Sequence, residues 1–210
     1  MVEAFNEPGY HVFKSYISKE DAKMMSDFLK ENCVTDPGNV RPHYRWSPIP
    51  GGELCDADFF NSPSNIKLDW DPKGLIFEML LFAKNFFLEN YKMWGDFYLH
   101  RVHGNIMDPG AELEYHTDED PNAAGDYPGD KRSYIADLFV NDDHEGGEIG
   151  FSTFQDQATG ATKIKPEPGD LILFSGYNKT HGVEQIISGS RANVMGVFHD
   201  AKDFRTFDCD

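Results

Sequence analysis

The sequence predicts a mostly β fold with flanking helices, in which about eight short strands form a double-sheet jelly roll. Helical spacing of apolar residues is confined to the part of the chain before residue 95. After residue 95 the apolar segments shorten to strand length, and turn sequences separate most of them. Among eight-stranded folds, the jelly roll is one that commonly holds a metal at its open end.

Two helices are predicted in the front of the chain. Ser18-Lys-Glu-Asp21 has the pattern of a capping box, so Ser18 is expected to cap the first helix. Apolar residues at helical spacing predict a second helix from Lys73 to about Tyr91. Both helices are expected to pack on a sheet, and the Pro- and Gly-rich residues 34–66 are expected to be mostly loop.

The predicted strands fill the back of the chain. They cover residues 97–102, 111–116, 133–141, 147–153, 162–165, 170–175, 182–187 and 192–199. The turns between them include Asp108-Pro-Gly, Glu145-Gly-Gly, Glu167-Pro-Gly-Asp170 and Ser188-Gly-Ser190.

The length of 210 residues suits one domain with a sizeable core, and 40% hydrophobic residues are typical of a globular protein. We expect a single domain over 1–210. Residues 1–95 would form a helical support, 96–200 the catalytic core and 201–210 a tail.

The net charge of −17 argues against binding to nucleic acid or to an anionic membrane, because both are themselves negatively charged. It fits either simple solubility or a basic partner.

No apolar run reaches the roughly 18 residues of a membrane span. The N-terminus lacks a secretory pattern, and Cys33, Cys55 and Cys209 are widely spaced, so a cytoplasmic protein with reduced thiols is expected.

One group of residues has the composition of a metal site. Side chains two apart in an extended segment point to the same face, so His116 and Asp118 can present an imidazole and a carboxylate together. His181 follows a short apolar strand and a polar loop that would return the chain to the same end of the barrel. Two histidines and one carboxylate suit Fe(II) and leave three coordination positions open.

Arg191 is the candidate for binding a co-substrate. A hairpin made by Val183–Ile187 and the Ser188-Gly-Ser190 turn is expected to set Arg191 deep in the barrel, beneath the metal. A buried guanidinium needs an anion, and its fork fits a carboxylate. A dicarboxylate such as 2-oxoglutarate would satisfy both the metal and Arg191, whereas an internal salt bridge is the alternative.

The sequence resembles the Fe(II)/2-oxoglutarate dioxygenases, in the branch that looks like prolyl 4-hydroxylases. The resemblance rests on ordered segments within about 97–199: His116-Thr-Asp118, Arg132 through Asn141-Asp142, Glu145-Gly-Gly-Glu-Ile-Gly-Phe151, Pro168-Gly-Asp-Leu-Ile-Leu-Phe174, and His181-Gly-Val with Arg191. It implies a double-stranded β-helix (jelly-roll, cupin-like) fold, Fe(II), 2-oxoglutarate and O2 as co-substrates, and release of succinate and CO2.

Phe139 departs from the family pattern, since relatives often have a tyrosine there whose hydroxyl contacts 2-oxoglutarate. Asn193 lies two residues after Arg191 and faces the same way along the strand, so its amide is the expected substitute donor. Tyr98 and Tyr134 are rival donors.

Asp137 is expected to point inward, because it shares a strand face with Phe139. Relatives usually have an apolar residue at this position. A buried carboxylate needs a partner. Either it pairs internally with a residue such as Arg101 or Arg132, or it receives a cationic or amide-rich substrate together with Glu119 and Asp120 of the acidic loop.

The resemblance implies an enzyme, a 2-oxoglutarate-dependent hydroxylase acting on a C–H bond. A prolyl residue of a peptide or protein is the first expectation for its substrate, and a free amino acid or other small molecule is the second. Two further alternatives stay open from the residues alone: a cupin-type metalloenzyme with another reaction, and a non-catalytic jelly-roll binding module.

Overall fold

The computed structural model describes residues 9–34, 43–48, 71, 73–93, 95–118, 131–152 and 160–201. These residues form two helices, α1 (Lys19–Asn32) and α2 (Leu75–Asn90). The strands are β1 (Tyr10–Phe13), β2 (Tyr44–Pro48), β3 (Asp96–Met107), β4 (Leu113–His116), β5 (Lys131–Phe139), β6 (His144–Gly146), β7 (Ile149–Ser152), β8 (Thr162–Ile164), β9 (Leu171–Ser175), β10 (Thr180–Val183), β11 (Ile186–Gly189) and β12 (Arg191–Ala201).

The strands form a major and a minor antiparallel sheet. The major sheet has the order β1-β9-β5-β12-β3-β2, and the minor sheet has the order β4-β10-β7-β8. Strands β6 and β11 pair separately with each other. Side chains from both sheets meet in one apolar cluster, for example Ile135 and Phe174 of the major sheet with Phe151 of the minor sheet. The space between the two sheets, here called the lumen, is the interior of the predicted jelly roll.

The two helices cover the outer face of the major sheet, as the sequence predicts. Ser18 caps α1, with its Oγ accepting a hydrogen bond from the backbone N–H of Asp21 at 3.1 Å. Along β5, Tyr134, Ala136 and Leu138 pack toward the helices, whereas Ile135 and Phe139 belong to the lumen cluster. This alternation follows from the two-residue period of a strand, and it decides which residues can reach a site in the lumen.

Neither of the helices in the described ranges is long and apolar enough to cross a membrane.

The connection that leads to Arg191 differs from the prediction. The expected strand over 182–187 is two strands, because β10 ends at Val183 and β11 starts at Ile186. Strand β11 pairs with β6, whereas β12 lies between β5 and β3, so the Ser188-Gly-Ser190 segment passes between sheets and the predicted hairpin is wrong. Glu184 lies between the two strands. Its carboxylate accepts a hydrogen bond from the Tyr115 hydroxyl at 2.9 Å and forms an ion pair with Lys163 at 3.0 Å.

Candidate metal centre and co-substrate pocket

Antiparallel pairing brings the three predicted metal ligands together. His116 is the last residue of β4, and His181 lies directly opposite it on β10. The two imidazole rings are consequently neighbours, with centroids 4.5 Å apart. Asp118 follows β4 by two residues, and its backbone N–H donates to the carbonyl oxygen of Gly176 at 2.9 Å, which turns its side chain toward both histidines.

The donor atoms of this cluster converge on one point. Asp118 Oδ1 lies 3.5 Å from His116 Nε2 and 3.7 Å from His181 Nε2, and all three ligand atoms lie within 4.8 Å of one another. Adjacent ligands at about 2.1 Å from an octahedral metal would be roughly 3 Å apart, so a small contraction completes a metal site. In the portion of the chain that the structure describes, this is the one group of three or more side chains suited to a metal.

Backbone carbonyls orient both imidazoles. His116 Nδ1 lies 2.7 Å from the carbonyl oxygen of Glu114, and His181 Nδ1 lies 2.9 Å from that of Lys179. A carbonyl oxygen only accepts, so each Nδ1 carries the proton and each Nε2 keeps its lone pair for a metal.

Ser133 and Gly176 hold the Asp118 carboxylate in place, although neither residue has a local sequence pattern that predicts this role. Ser133 Oγ donates to Asp118 Oδ2 at 2.6 Å, which leaves Oδ1 to face the histidines. A Cβ on Gly176 would lie 2.6 Å from Ser133 Oγ and closer still to Asp118 Oδ2. Position 176 therefore requires glycine, because the Asp118 carboxylate and the Ser133 hydroxyl lie too close to its α-carbon to admit a Cβ. This contact depends on the pairing of β5 with β9, so the sequence alone does not predict it.

The protonation states suit metal binding. Burial alone would raise the pKa of Asp118, but a protonated His116 that donates to it, the charge of a protonated His181 and the hydrogen bond from Ser133 outweigh burial and hold this pKa at about 2. Burial lowers the pKa of His181. An ionised carboxylate beside neutral imidazoles is the form in which these residues bind metals. Two histidines and one carboxylate on one face form the donor set of non-haem Fe(II) oxygenases.

Arg191 lies buried in the lumen at the start of β12, with 3% of its surface exposed. Its guanidinium is 3.5 Å from Asp137 Oδ2, 3.4 Å from Asn193 Oδ1 and 3.5 Å from Met107 Sδ. The ring of Phe139 lies 4.8 Å beneath it. Arg191 Nε has no hydrogen-bond partner among the described residues, so the guanidinium retains donor capacity for an anion.

Asn141 and Gly147 fix the position of Arg191, and both lie in segments that carry the family resemblance. The Asn141 side chain accepts from the N–H of Ala192 at 2.7 Å and donates to the carbonyl of Ser190 at 2.6 Å, so it clamps the backbone on both sides of Arg191. Gly147 has a φ of +72°, and a Cβ there would lie 3.2 Å from Arg191 Cδ.

An apolar stretch of lumen separates the metal cluster from Arg191. Ser133 lies at the level of the cluster, and Asp137, four residues along β5, lies at the level of the guanidinium. At about 3.3 Å per residue this corresponds to roughly 13 Å of strand. The cluster of Ile135, Phe139, Ile149, Phe151, Ile172, Phe174 and Val197 lines the lumen. Phe174 packs against His181 with ring centroids 4.8 Å apart, so the wall of the lumen reaches the metal ligands.

The structure separates the predicted co-substrate donors. Asn193 lies beside Arg191, but its amide donates to Asp137 Oδ1. Tyr134 faces the helices, where it packs against Phe87 with ring centroids 5.3 Å apart. Tyr98 contacts His199, eight residues along β12 from Arg191. Neither tyrosine therefore lies beside Arg191. Tyr134 is on the face of β5 that packs against the helices, and Tyr98 is at the metal end of the lumen.

Asp137 points inward, as predicted, and is 2% exposed. Its internal partners are Arg191 and Asn193 rather than Arg101 or Arg132. Glu119 and Asp120, which we expected to help receive a substrate, lie outside the described residues.

Residues 101–199 match the family model of the 2OG-Fe(II) oxygenase superfamily. A segment of 64 residues is 45% identical to human prolyl 3-hydroxylase 2 and 44% identical to the mouse protein. The segment covers 30% of this chain and only 9% of either relative.

Solved structures share the fold over nearly the whole chain. The viral collagen prolyl hydroxylase of Paramecium Bursaria Chlorella virus-1 superimposes with a TM-score of 0.63 and 17% identity, covering 94% of this chain and 98% of that one. HygX from Streptomyces hygroscopicus superimposes with a TM-score of 0.61 and 13% identity, covering 95% and 85%. These likenesses confirm the predicted jelly-roll fold. The family match and the His116–Asp118–His181 cluster agree with the predicted cofactors, Fe(II) and 2-oxoglutarate.

Proposed function

We propose that this chain, whose residues 101–199 match the family model of the 2OG-Fe(II) oxygenase superfamily, is a hydroxylase that uses Fe(II), 2-oxoglutarate and O2. The observation that carries the proposal is the placement of two complementary groups in one lumen. The His116–Asp118–His181 cluster lies at one level of the lumen, and the buried guanidinium of Arg191 lies deeper.

Each part of the site has a separate task. His116, Asp118 and His181 would hold Fe(II) through Nε2, Oδ1 and Nε2, and Ser133 would keep the carboxylate in that orientation. Arg191 would bind the far carboxylate of 2-oxoglutarate, so the co-substrate spans the apolar stretch between the two levels. With the metal bound, 2-oxoglutarate and O2 would supply the oxidative decarboxylation to succinate and CO2 and the hydroxylation of a C–H bond. The apolar walls would exclude water from that reaction.

A prolyl residue of a peptide or protein is the substrate that we favour. Support comes from the 45% identity to prolyl 3-hydroxylase 2 over 64 residues and from the fold shared with a viral collagen prolyl hydroxylase. Asp137 is engaged with Arg191, so any attraction of a cationic peptide falls to Glu119, Asp120 and the rest of the negatively charged chain.

A small-molecule substrate is the second candidate. HygX, which shares the fold over 95% of this chain, has been solved with nickel, 2-oxoglutarate and hygromycin B bound. The same architecture therefore also accommodates a small polar molecule.

The test is a mass-shift screen in the presence of Fe(II), 2-oxoglutarate and O2. Proline-containing peptides, some basic and some neutral, are compared with free amino acids and aminoglycosides. We expect one peptide class to gain the mass of one oxygen atom together with stoichiometric succinate. A gain only on small molecules would select the second candidate, and hydroxylation without 2-oxoglutarate would refute the proposed function.

The control variant for this screen is His11→Ala. His11 lies on β1 and stacks edge-on against Phe86 of α2, so it is outside the site. His144 is not a suitable control, because its ring and the side chain of Arg191 both lie against Gly147, and the charge of Arg191 acts on His144.

A further inference from the structure

The pocket that would receive the far carboxylate of 2-oxoglutarate already contains a carboxylate. Asp137 and Arg191 are 2% and 3% exposed, and Asp137 Oδ2 lies 3.5 Å from Arg191 Nη2. The second oxygen, Oδ1, accepts a hydrogen bond from the Asn193 amide. Two further neighbours of the guanidinium, Phe139 and Met107, offer no O–H or N–H donor from their side chains.

This arrangement creates a conflict of charge when the co-substrate binds. One guanidinium would face two carboxylates in a site closed to water. Carboxylates that share a buried site cannot both remain ionised, and one of them takes up a proton. The contacts of each carboxylate determine which of the two takes up the proton.

Asp137 is the carboxylate placed to take the proton. Its Oδ1 is already satisfied by Asn193, whereas its Oδ2 faces Arg191 at a distance too long for a tight ion pair. Burial raises the pKa of Asp137 and outweighs the charge and hydrogen bond of Arg191 and the hydrogen bond of Asn193. When an incoming carboxylate engages the guanidinium, Asp137 also loses part of the charge that favours its ionised form.

We propose that Asp137 binds 2-oxoglutarate as the neutral acid, with its Oδ2–H and the Arg191 guanidinium holding the far carboxylate together. The inference rests on the proposed function. Above the pKa of Asp137 in the free protein, one proton passes from solvent to Asp137 Oδ2 for each co-substrate bound, and Asp137 forms no other covalent bond. Asp137 thereby supplies the hydroxyl donor that Phe139 lacks, and it makes co-substrate affinity depend on pH.

The other titratable groups around Asp137 leave this assignment intact. On β9 the residue opposite Asp137 is Ile172, and on β12 it is Met195. Across Met195 lies His103 of β3, whose burial and neighbouring cations lower its pKa to about 3, so it is neutral at physiological pH. His144 lies near Arg191, and burial and that same cation lower its pKa as well. Lys165 donates to the backbone carbonyl of His144 at 3.3 Å.

The test is calorimetric titration of 2-oxoglutarate into the anaerobic Fe(II) protein, in buffers of different ionisation enthalpy and at several pH values. Wild type is compared with Asp137→Asn, which keeps the shape and an N–H donor but cannot titrate. We expect wild type to take up about one proton per ligand more than Asp137→Asn above the pKa of Asp137 in the free protein. Its Kd should rise about tenfold per pH unit in that range, whereas the Kd of Asp137→Asn should stay nearly flat.

Three results would overturn the inference. Equal proton uptake by the two proteins would show that Asp137 does not titrate on binding. Much weaker binding by Asp137→Asn at every pH, with an unchanged melting temperature, would show that the ionised carboxylate is needed to orient Arg191. If wild type with metal does not bind 2-oxoglutarate at all, the proposed function fails and the inference fails with it.

Discussion

Substitution of Ser133 by alanine separates the support of the metal ligand from the ligand itself. Ser133 Oγ donates to Asp118 Oδ2 at 2.6 Å, a short charge-assisted bond, and it does not face the metal position. Without this bond the carboxylate can rotate away from His116 and His181, to which its other oxygen points at 3.5 and 3.7 Å.

The expected loss follows from the strength of that bond. A hydrogen bond to a charged group contributes about 1.5–3 kcal/mol, and about 1.4 kcal/mol corresponds to a factor of ten in affinity. Removal of an outer-shell partner of a metal ligand typically costs about 10- to 100-fold in metal affinity. We therefore expect the Kd for Fe(II) of Ser133→Ala to rise by about 10- to 100-fold, while the fold is retained.

The assay is anaerobic titration with Fe(II), or with Co(II) as a spectroscopic substitute, alongside thermal unfolding. Ser175→Ala is the matched control, because Ser175 is a fully buried serine on the adjacent strand whose Oγ has no hydrogen-bond partner in the described part of the chain. We expect unchanged metal affinity in the control. Equal affinity of Ser133→Ala and wild type would refute the view that Ser133 orients Asp118.

The remaining predictions concern three other positions. Arg191→Lys keeps the charge but loses the fork, so the KM for 2-oxoglutarate should rise at constant metal affinity; an unchanged KM would place the carboxylate contact elsewhere. Gly176→Ala should abolish metal binding by displacing the Asp118 carboxylate. Gly160→Ala should retain metal binding, because a Cβ there meets no atom of the other described residues within 4 Å and the left-handed φ of +83° adds only local backbone strain; metal titration distinguishes the two. Asp170 accepts hydrogen bonds from Lys14 and from the N–H groups of Ser15 and Glu167, which outweigh burial and lower its pKa below 3.8. Asp170→Asn should therefore be less stable than wild type at neutral pH, and the difference should shrink as the pH falls through the lowered pKa of Asp170. Urea unfolding at neutral and acidic pH measures this, and a difference that does not change with pH would contradict it.

Local patterns in the sequence were sufficient for the helices and for the metal ligands. The capping box at Ser18 and the apolar spacing in the second helix depend on residues a few positions apart, and both helices form where predicted. The pair His116 and Asp118 is likewise local. His181 could be predicted because the short strand and loop before it return the chain to the same end of the fold. The pairing of β10 with β4 confirms this placement.

Contacts between side chains on different strands could not be predicted from the sequence. Ser133 approaches Asp118 through the positions of β5 and Gly176, and neither residue has a local pattern that identifies it. Tyr134 was a poor candidate on the sequence alone, because the alternation that turns Asp137 and Phe139 inward puts Tyr134 on the opposite face of β5, where it packs with the helices. The alternation of strand residues did predict that Asp137 points inward, but its pairing with Arg191 depends on the register of β5 against β12.

The most direct test of the account is succinate formation from 2-oxoglutarate by wild type and by Asp118→Ala, each with added Fe(II) and O2 and without any other substrate. We predict slow, Fe(II)-dependent succinate release by wild type and none above background by Asp118→Ala, because three protein ligands leave no redundancy for the metal. Full succinate formation by Asp118→Ala, or formation by wild type that does not require Fe(II), would contradict the assignment of this site.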